Sequence, residues 1–171
     1  MTSLSELMVQ LQGMRERNDI WGQYICELDQ SDARVGLHLA VFVEPYLRFI
    51  LEGRKTVESR FSVKPLAPYG KVAIGDALLL KRAGGPVAGV CRVADVWSYH
   101  LDPKAWNVIR RDFAEAICAS DAQFWRKRES ARYATLMRID EVRAMPSLPL
   151  SKRDRRGWVV LKSSSSSGDS L

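Results

Sequence analysis

The 171-residue sequence is poor in the residues that metal and redox centres draw on. Its three cysteines, Cys26, Cys91 and Cys118, are odd in number, far apart and without CxxC spacing, which argues against a disulfide framework and a zinc knuckle. There are two histidines, His38 and His100, with no HxH or HExxH pattern. His38 lies inside a predicted strand and reads as a satisfied barrel residue. A magnesium or manganese site of one or two carboxylates leaves little trace in a sequence, so that cofactor is carried only with a nuclease reading. No Gly-x-Ser-x-Gly elbow and no P-loop occurs, which disfavours a serine hydrolase or an NTPase. No apolar run approaches the roughly 20 residues needed to span a bilayer, and Glu6 stands where a secretory leader would be basic. The expectation is a cytoplasmic chain with no membrane partner.

Charge is present and uneven. The formal net charge is +6 with a pI near 9.4. Lys152, Arg153, Arg155 and Arg156 crowd one window, and Arg126, Lys127 and Arg128 another. Such clusters neutralise phosphates and release counterions, so the first is expected to contact nucleic-acid phosphates. A solvated basic face explains the same residues without a partner.

Apolar spacing predicts two N-terminal helices. Leu4, Leu7, Met8, Leu11 and Met14 follow a Ser3/Glu6 capping box, and Ile20, Trp21, Tyr24, Ile25 and Leu28 follow Asn18 or Asp19. This hairpin (residues 1–34) must bury its stripe on the following domain or in a homodimer contact. Leu37 to Val43 reads as a buried strand, Pro45 opens a short helix through Leu51, and Gly53 stops it. Gly75-Asp76 turns into a strand at Ala77 to Lys81, and Gly84-Gly85 predicts a hairpin with return strand Val87 to Val96. Asp102-Pro103 caps one helix, and Ser120 or Asp121 starts another that runs to about Glu129. Tyr133 to Val142 and Gly157 to Leu161 have strand character, and the serine-rich end, 163–171, reads as a disordered tail. The pattern predicts an α+β chain. Its main domain (37–161) is a small, partly open β-barrel of five or six mostly antiparallel strands decorated with helices.

The chain is organised around Gly53-Arg54-Lys55-Thr56-Val57-Glu58-Ser59-Arg60. On a strand Thr56, Glu58 and Arg60 share one face, and Val57, Ser59 and Phe61 the other. Parity puts Lys55 with Val57, but Gly53 permits a positive φ that re-aims the ammonium. Arg60 offers a fork for a phosphate or base edge, Glu58 an acceptor for an exocyclic amine, and Lys55 a point charge. Trp97 beside Tyr99 and His100, and Tyr133 beside Arg132, interleave rings and cations as single-stranded nucleic-acid sites do. A plain surface strand, with ion pairs worth about 0 to 1 kcal/mol each, is the competing reading.

The pattern Gly53-x-Lys55-x-x-Glu58-x-Arg60, the Gly75-Asp76 turn, the hairpin after it, Phe124-Trp125 and Ala131-Arg132-Tyr133-Ala134 resemble an ASCH domain, a branch of the PUA-like barrels. The likeness spans residues 37 to 161. It implies a barrel whose cleft is lined by the octet and a partner that is RNA or a modified nucleotide. Some members hydrolyse the amide of N4-acetylcytidine with a lysine, a threonine three residues later and a glutamate from another strand. Lys55 matches that lysine, but Glu58 stands at the threonine position and Thr56 directly follows the lysine. Other members are described as metal-dependent ribonucleases. The expectation is a binding module that uses Lys55, Thr56, Glu58, Arg60, Trp97, Arg132 and Tyr133. The alternative is a small hydrolase with Lys55 and Glu58 in catalytic roles.

Overall fold

The computed structural model describes residues 4–13, 20–30, 32–150 and 155–165. The Ser3 cap, the Asn18/Asp19 cap, Lys152, Arg153 and residues 166–171 lie outside the described residues. Helices α1 (Leu4–Gln12) and α2 (Ile20–Leu28) precede β1 (Leu37–Phe42), α3 (Tyr46–Leu51) and β2 (Val57–Ser62). β3 (Ala77–Arg82), β4 (Val87–His100), α4 (Pro103–Ile117), α5 (Ala122–Arg126), β5 (Tyr133–Leu148) and β6 (Trp158–Lys162) follow.

The six strands form one curled sheet, a half-barrel in the order β2-β5-β4-β3-β1-β6. Four pairings are antiparallel and one, β1 with β3, is parallel. Strands β4 and β5 run further than their hydrophobic pattern suggests, because each completes the other's hydrogen bonds from Val87/Leu148 to His100/Tyr133. Register shifts break that ladder in three places, and Glu141 takes a left-handed φ of 49° beside one of them. Such irregularities bend a strand, which here curls the sheet. Helix α5 stops at Arg126, earlier than the sequence pattern implies. Both aspartate caps form: Asp102 accepts from the Ala105 N–H at 2.7 Å and Asp121 from the Gln123 N–H at 2.9 Å.

Three apolar clusters hold the layers together. Leu7, Met8, Leu11, Trp21, Ile25 and Leu28 of the N-terminal helices pack with Leu37, Leu39, Ala77, Leu79, Val87 and Val90 of the sheet. The helical stripe is therefore buried on the chain's own strands. Leu47 and Ile50 of α3 close the second cluster with Phe42, Leu80, Val93, Met137 and Trp158. In the third, Val57 and Phe61 meet Ile109 and Ile117 of α4 and Phe124 of α5. At the end of the described chain, Ser165 donates its N–H to the Ala33 carbonyl at 3.0 Å. Among the described residues no helix is long and apolar enough to cross a membrane.

Candidate functional site

Strand β2 is one edge of the sheet and β6 the other, and the candidate site is the cleft where the curl brings them face to face. Alternation sorts the octet. Val57 and Phe61 point to α4 and α5, while Glu58 and Arg60 point to the opposite side, toward β1 and β6.

Lys55 joins that second side. Gly53 adopts φ 75° after α3, and the Arg54 and Lys55 N–H groups both donate to the Phe49 carbonyl. The turn swings the Lys55 side chain inward until it is 3% exposed. Its Nζ donates to the Val57 carbonyl at 2.8 Å and the Ile117 carbonyl at 3.1 Å, and lies 3.3 Å from Glu58 Oε2. Burial pushes the Lys55 ammonium below its usual lysine value; Glu58 opposes that shift and Arg60 adds to it.

Glu58, also buried, accepts from Arg60 Nε at 2.6 Å through its other oxygen. The rest of the Arg60 fork spans the open side of the half-barrel, donating to the Val41 carbonyl at 3.0 Å and the Gly157 carbonyl at 3.1 Å. Its guanidinium also lies over Phe42 and Trp158, 4.8 and 5.4 Å from the ring centroids. Lys55, Glu58 and Arg60 thus form one continuous ionic chain across the floor of the cleft.

The cleft has two compartments that share Arg60 and Phe61. The smaller, about 180 Å³, holds the ionic chain with Tyr46, Ser59, Phe124 and Arg128. The larger, about 510 Å³, is walled mostly by apolar side chains, among them Leu66, Pro68, Trp158 and Val160, with Ser62, Thr135 and Arg156 as polar members beside the shared Arg60. Trp158 presents only its apolar ring to this space. Its indole N–H is turned into the core, where it donates to His38 Nδ1 at 3.2 Å, and His38 Nε2 reaches Asp76 Oδ2 at 2.8 Å. An indole only donates, so His38 accepts at Nδ1 and carries its proton toward Asp76. Asp76 also accepts from the Gly36 and Ala73 N–H groups at 2.7 and 2.8 Å.

Other residues expected at the site stand elsewhere or touch it indirectly. Thr56 is exposed ahead of β2; its N–H donates to the Ala116 carbonyl and its side chain does not line the cleft. Trp97 packs edge-on against Phe113 of α4 at 4.9 Å, on the helix side of the sheet. Tyr133 shares the face of Thr135 on β5, but its ring is covered edge-on by Tyr69 at 5.0 Å and His100 at 5.2 Å. Arg132 is exposed, and its backbone pairs with Ser62 and Leu101. Arg155 is exposed, and Arg156 borders the larger compartment.

Sequence reasoning misses two cleft residues: Arg128 stands in a run of basic residues that a solvated face explains equally well, and Trp158 is not singled out on the short closing strand. The Arg128 guanidinium lies 3.7 Å from the Phe124 centroid. Among the described residues, no group of three or more His, Cys, Asp or Glu side chains is placed to hold a metal ion.

No family model and no curated protein matches the chain. Solved structures do. The crystal structure of ASCH from Zymomonas mobilis superposes with a TM-score of 0.55 at 16% identity, covering 67% of this chain and 74% of that one. A serine-to-alanine variant of the same protein gives 0.58 at 16% identity, covering 75% and 90%. At that identity the likeness is one of fold. The curled six-stranded half-barrel with its inserted helices is the fold of the ASCH domain structures.

Proposed function

We propose that this chain is a binding module that holds single-stranded RNA or a modified nucleotide in the cleft between β2 and β6. The observation that carries the reading is the ionic chain Lys55–Glu58–Arg60 on the floor of a two-compartment cleft. Among the described residues, Lys55, Arg60, Arg128 and Arg156 line the cleft with a single carboxylate, Glu58, so its field favours an anion. The apolar compartment beside Trp158 is of a size that takes a small-molecule ligand and suits a base. The Lys55 ammonium points at two carbonyls and a carboxylate, an arrangement suited to a fixed charge.

Titration of fluorescently labelled single-stranded RNA at two salt concentrations tests the proposal. Binding that weakens with salt and falls at least tenfold in Arg60→Ala and Arg156→Ala is expected. Absent binding, or binding indifferent to both substitutions, would overturn it.

One observation favours a second reading, a small hydrolase acting on an acylated nucleoside such as N4-acetylcytidine or on a phosphodiester. Lys55 is depressed by burial beside a carboxylate, as lysines in general-base or nucleophilic roles are. Incubation with N4-acetylcytidine, and with RNA plus Mn²⁺, separates the two. Turnover abolished by Lys55→Ala and Glu58→Ala establishes the hydrolase; no turnover from a protein that binds RNA leaves the module.

A further inference from the structure

Arginines at this cleft differ in how well the protein itself satisfies them. Arg60 donates to a carboxylate and two carbonyls. Elsewhere in the chain, Arg92 forks onto both oxygens of Asp140 at 2.8 and 2.6 Å. Arg128 has neither arrangement. Among the described residues its hydrogen-bond acceptor is the Phe124 carbonyl, at 2.7 Å from Nη1, and no carboxylate lies within ion-pair distance of it. The guanidinium lies over the Phe124 ring, 3.7 Å from its centroid, and 5.9 Å from the Phe61 centroid, and the residue is half-buried. Arg128 lines the smaller compartment together with Tyr46 and Ser59. The nearest carboxylate in that compartment, Glu58, already serves Lys55 and Arg60.

A guanidinium that is partly removed from water, fixed by aromatic packing and left without a counter-ion is built to receive an oxyanion from outside. Desolvation works against its charge, Tyr46 and Glu58 oppose that effect and Arg60 adds to it. We propose that the smaller compartment is an oxyanion site in which Arg128 forks onto the phosphate of the bound nucleotide, with Ser59 and Tyr46 as neutral donors. This rests on the nucleotide reading above and sharpens it: the phosphate that anchors the ligand sits on Arg128, inside the cleft, rather than on the basic segment that contains Arg155 and Arg156.

Two titrations test it, the first without any nucleotide. Inorganic phosphate is added to protein with ¹⁵N-labelled arginine, and the Nε–H signals are followed. The signal of Arg128 is expected to move saturably while that of Arg92 stays still. In the second, adenosine and adenosine 5′-monophosphate are compared on wild type, Arg128→Gln and, as a control that lines neither compartment, Arg126→Ala, each checked for an unchanged thermal midpoint. The monophosphate is expected to bind at least tenfold tighter than the nucleoside to wild type and to Arg126→Ala, with the ratio falling to near one in Arg128→Gln. An Arg128 signal that ignores phosphate, or a ratio that survives Arg128→Gln, overturns the oxyanion site and leaves the nucleotide reading standing. Saturable phosphate binding at Arg128 with no affinity for either adenosine compound supports the site and removes the nucleotide reading.

Discussion

Arg60, on the edge strand β2, donates to the carbonyl of Gly157, the residue that leads into the opposite edge strand β6. The Val41 N–H donates to the same carbonyl at 2.9 Å, so a single oxygen ties β1, β2 and β6 together. A motif residue that reads as a ligand contact therefore also closes the half-barrel over the cleft.

Arg60→Ala should lower stability by about 2 to 4 kcal/mol. Breaking a fully buried ion pair costs roughly 3 to 5 kcal/mol, and Arg60 keeps about a fifth of its side chain in water. Arg60→Lys should recover less than half of the loss, because an ammonium cannot reach Glu58, Val41 and Gly157 as a planar fork does. Urea denaturation of the three proteins measures both effects.

Asp76 sits at 1% exposure with three donors aimed at it, from Gly36, Ala73 and His38. Asp76→Ala leaves each donor unmet at about 1 to 3 kcal/mol before relaxation, so a loss of roughly 3 to 5 kcal/mol is expected. The same turn predicts a second cost. A Cβ at Gly36 would stand 3.0 Å from Asp76 Oδ1, so Gly36→Ala should destabilise wild type but have a smaller effect in an Asp76→Ala background. A double-mutant cycle by thermal denaturation reads the coupling.

Lys55 contributes a pH dependence of definite sign. Its folded pKa lies below the unfolded value of 10.5, so between the two the unfolded chain binds more protons. Stability from this group is therefore lowest while the buried ammonium is charged and rises as pH climbs through the folded pKa toward 10.5. Lys55→Met removes that rise. Denaturant melts of both proteins from pH 7.5 to 10.5 should show the wild type gaining stability relative to the variant; parallel curves would contradict the assignment.

The N-terminal helices place their apolar stripe in the chain's own core, which removes the physical motive for a dimer through that stripe. Sedimentation of the full chain should give a monomer. Removing residues 1–30 uncovers Leu37, Leu39, Leu79 and Val90, and the shortened chain should aggregate. A full-length dimer that the truncation converts to a well-behaved monomer would contradict this.

Local chemistry was the legible part of the sequence. The Gly53 turn, the Asp102 and Asp121 caps and the alternation that puts Glu58 with Arg60 all depend on a few adjacent residues. Pairing across the sheet was less so. The parallel match of β1 to β3, and the extension of β4 to His100 and β5 to Leu148, are supplied by partners distant in sequence. Trp97 illustrates the limit at the site: its position beside Tyr99 and His100 suggests a stacking surface, whereas α4 returns over that face and Phe113 meets the half-buried ring edge-on. Arg128 illustrates the converse, since nothing in a run of basic residues tells which one an aromatic ring will hold at a cleft.

Five tryptophans make the central claim directly measurable. Trp158 lines the cleft, whereas Trp21 belongs to the cluster under the N-terminal helices and Trp97 packs under α4. In a ¹⁵N–¹H spectrum of the indole groups, stepwise addition of single-stranded RNA should shift the Trp158 signal saturably and leave Trp21 and Trp97 in place. A Trp158 signal that stays fixed while RNA is bound would place the ligand elsewhere and contradict the account.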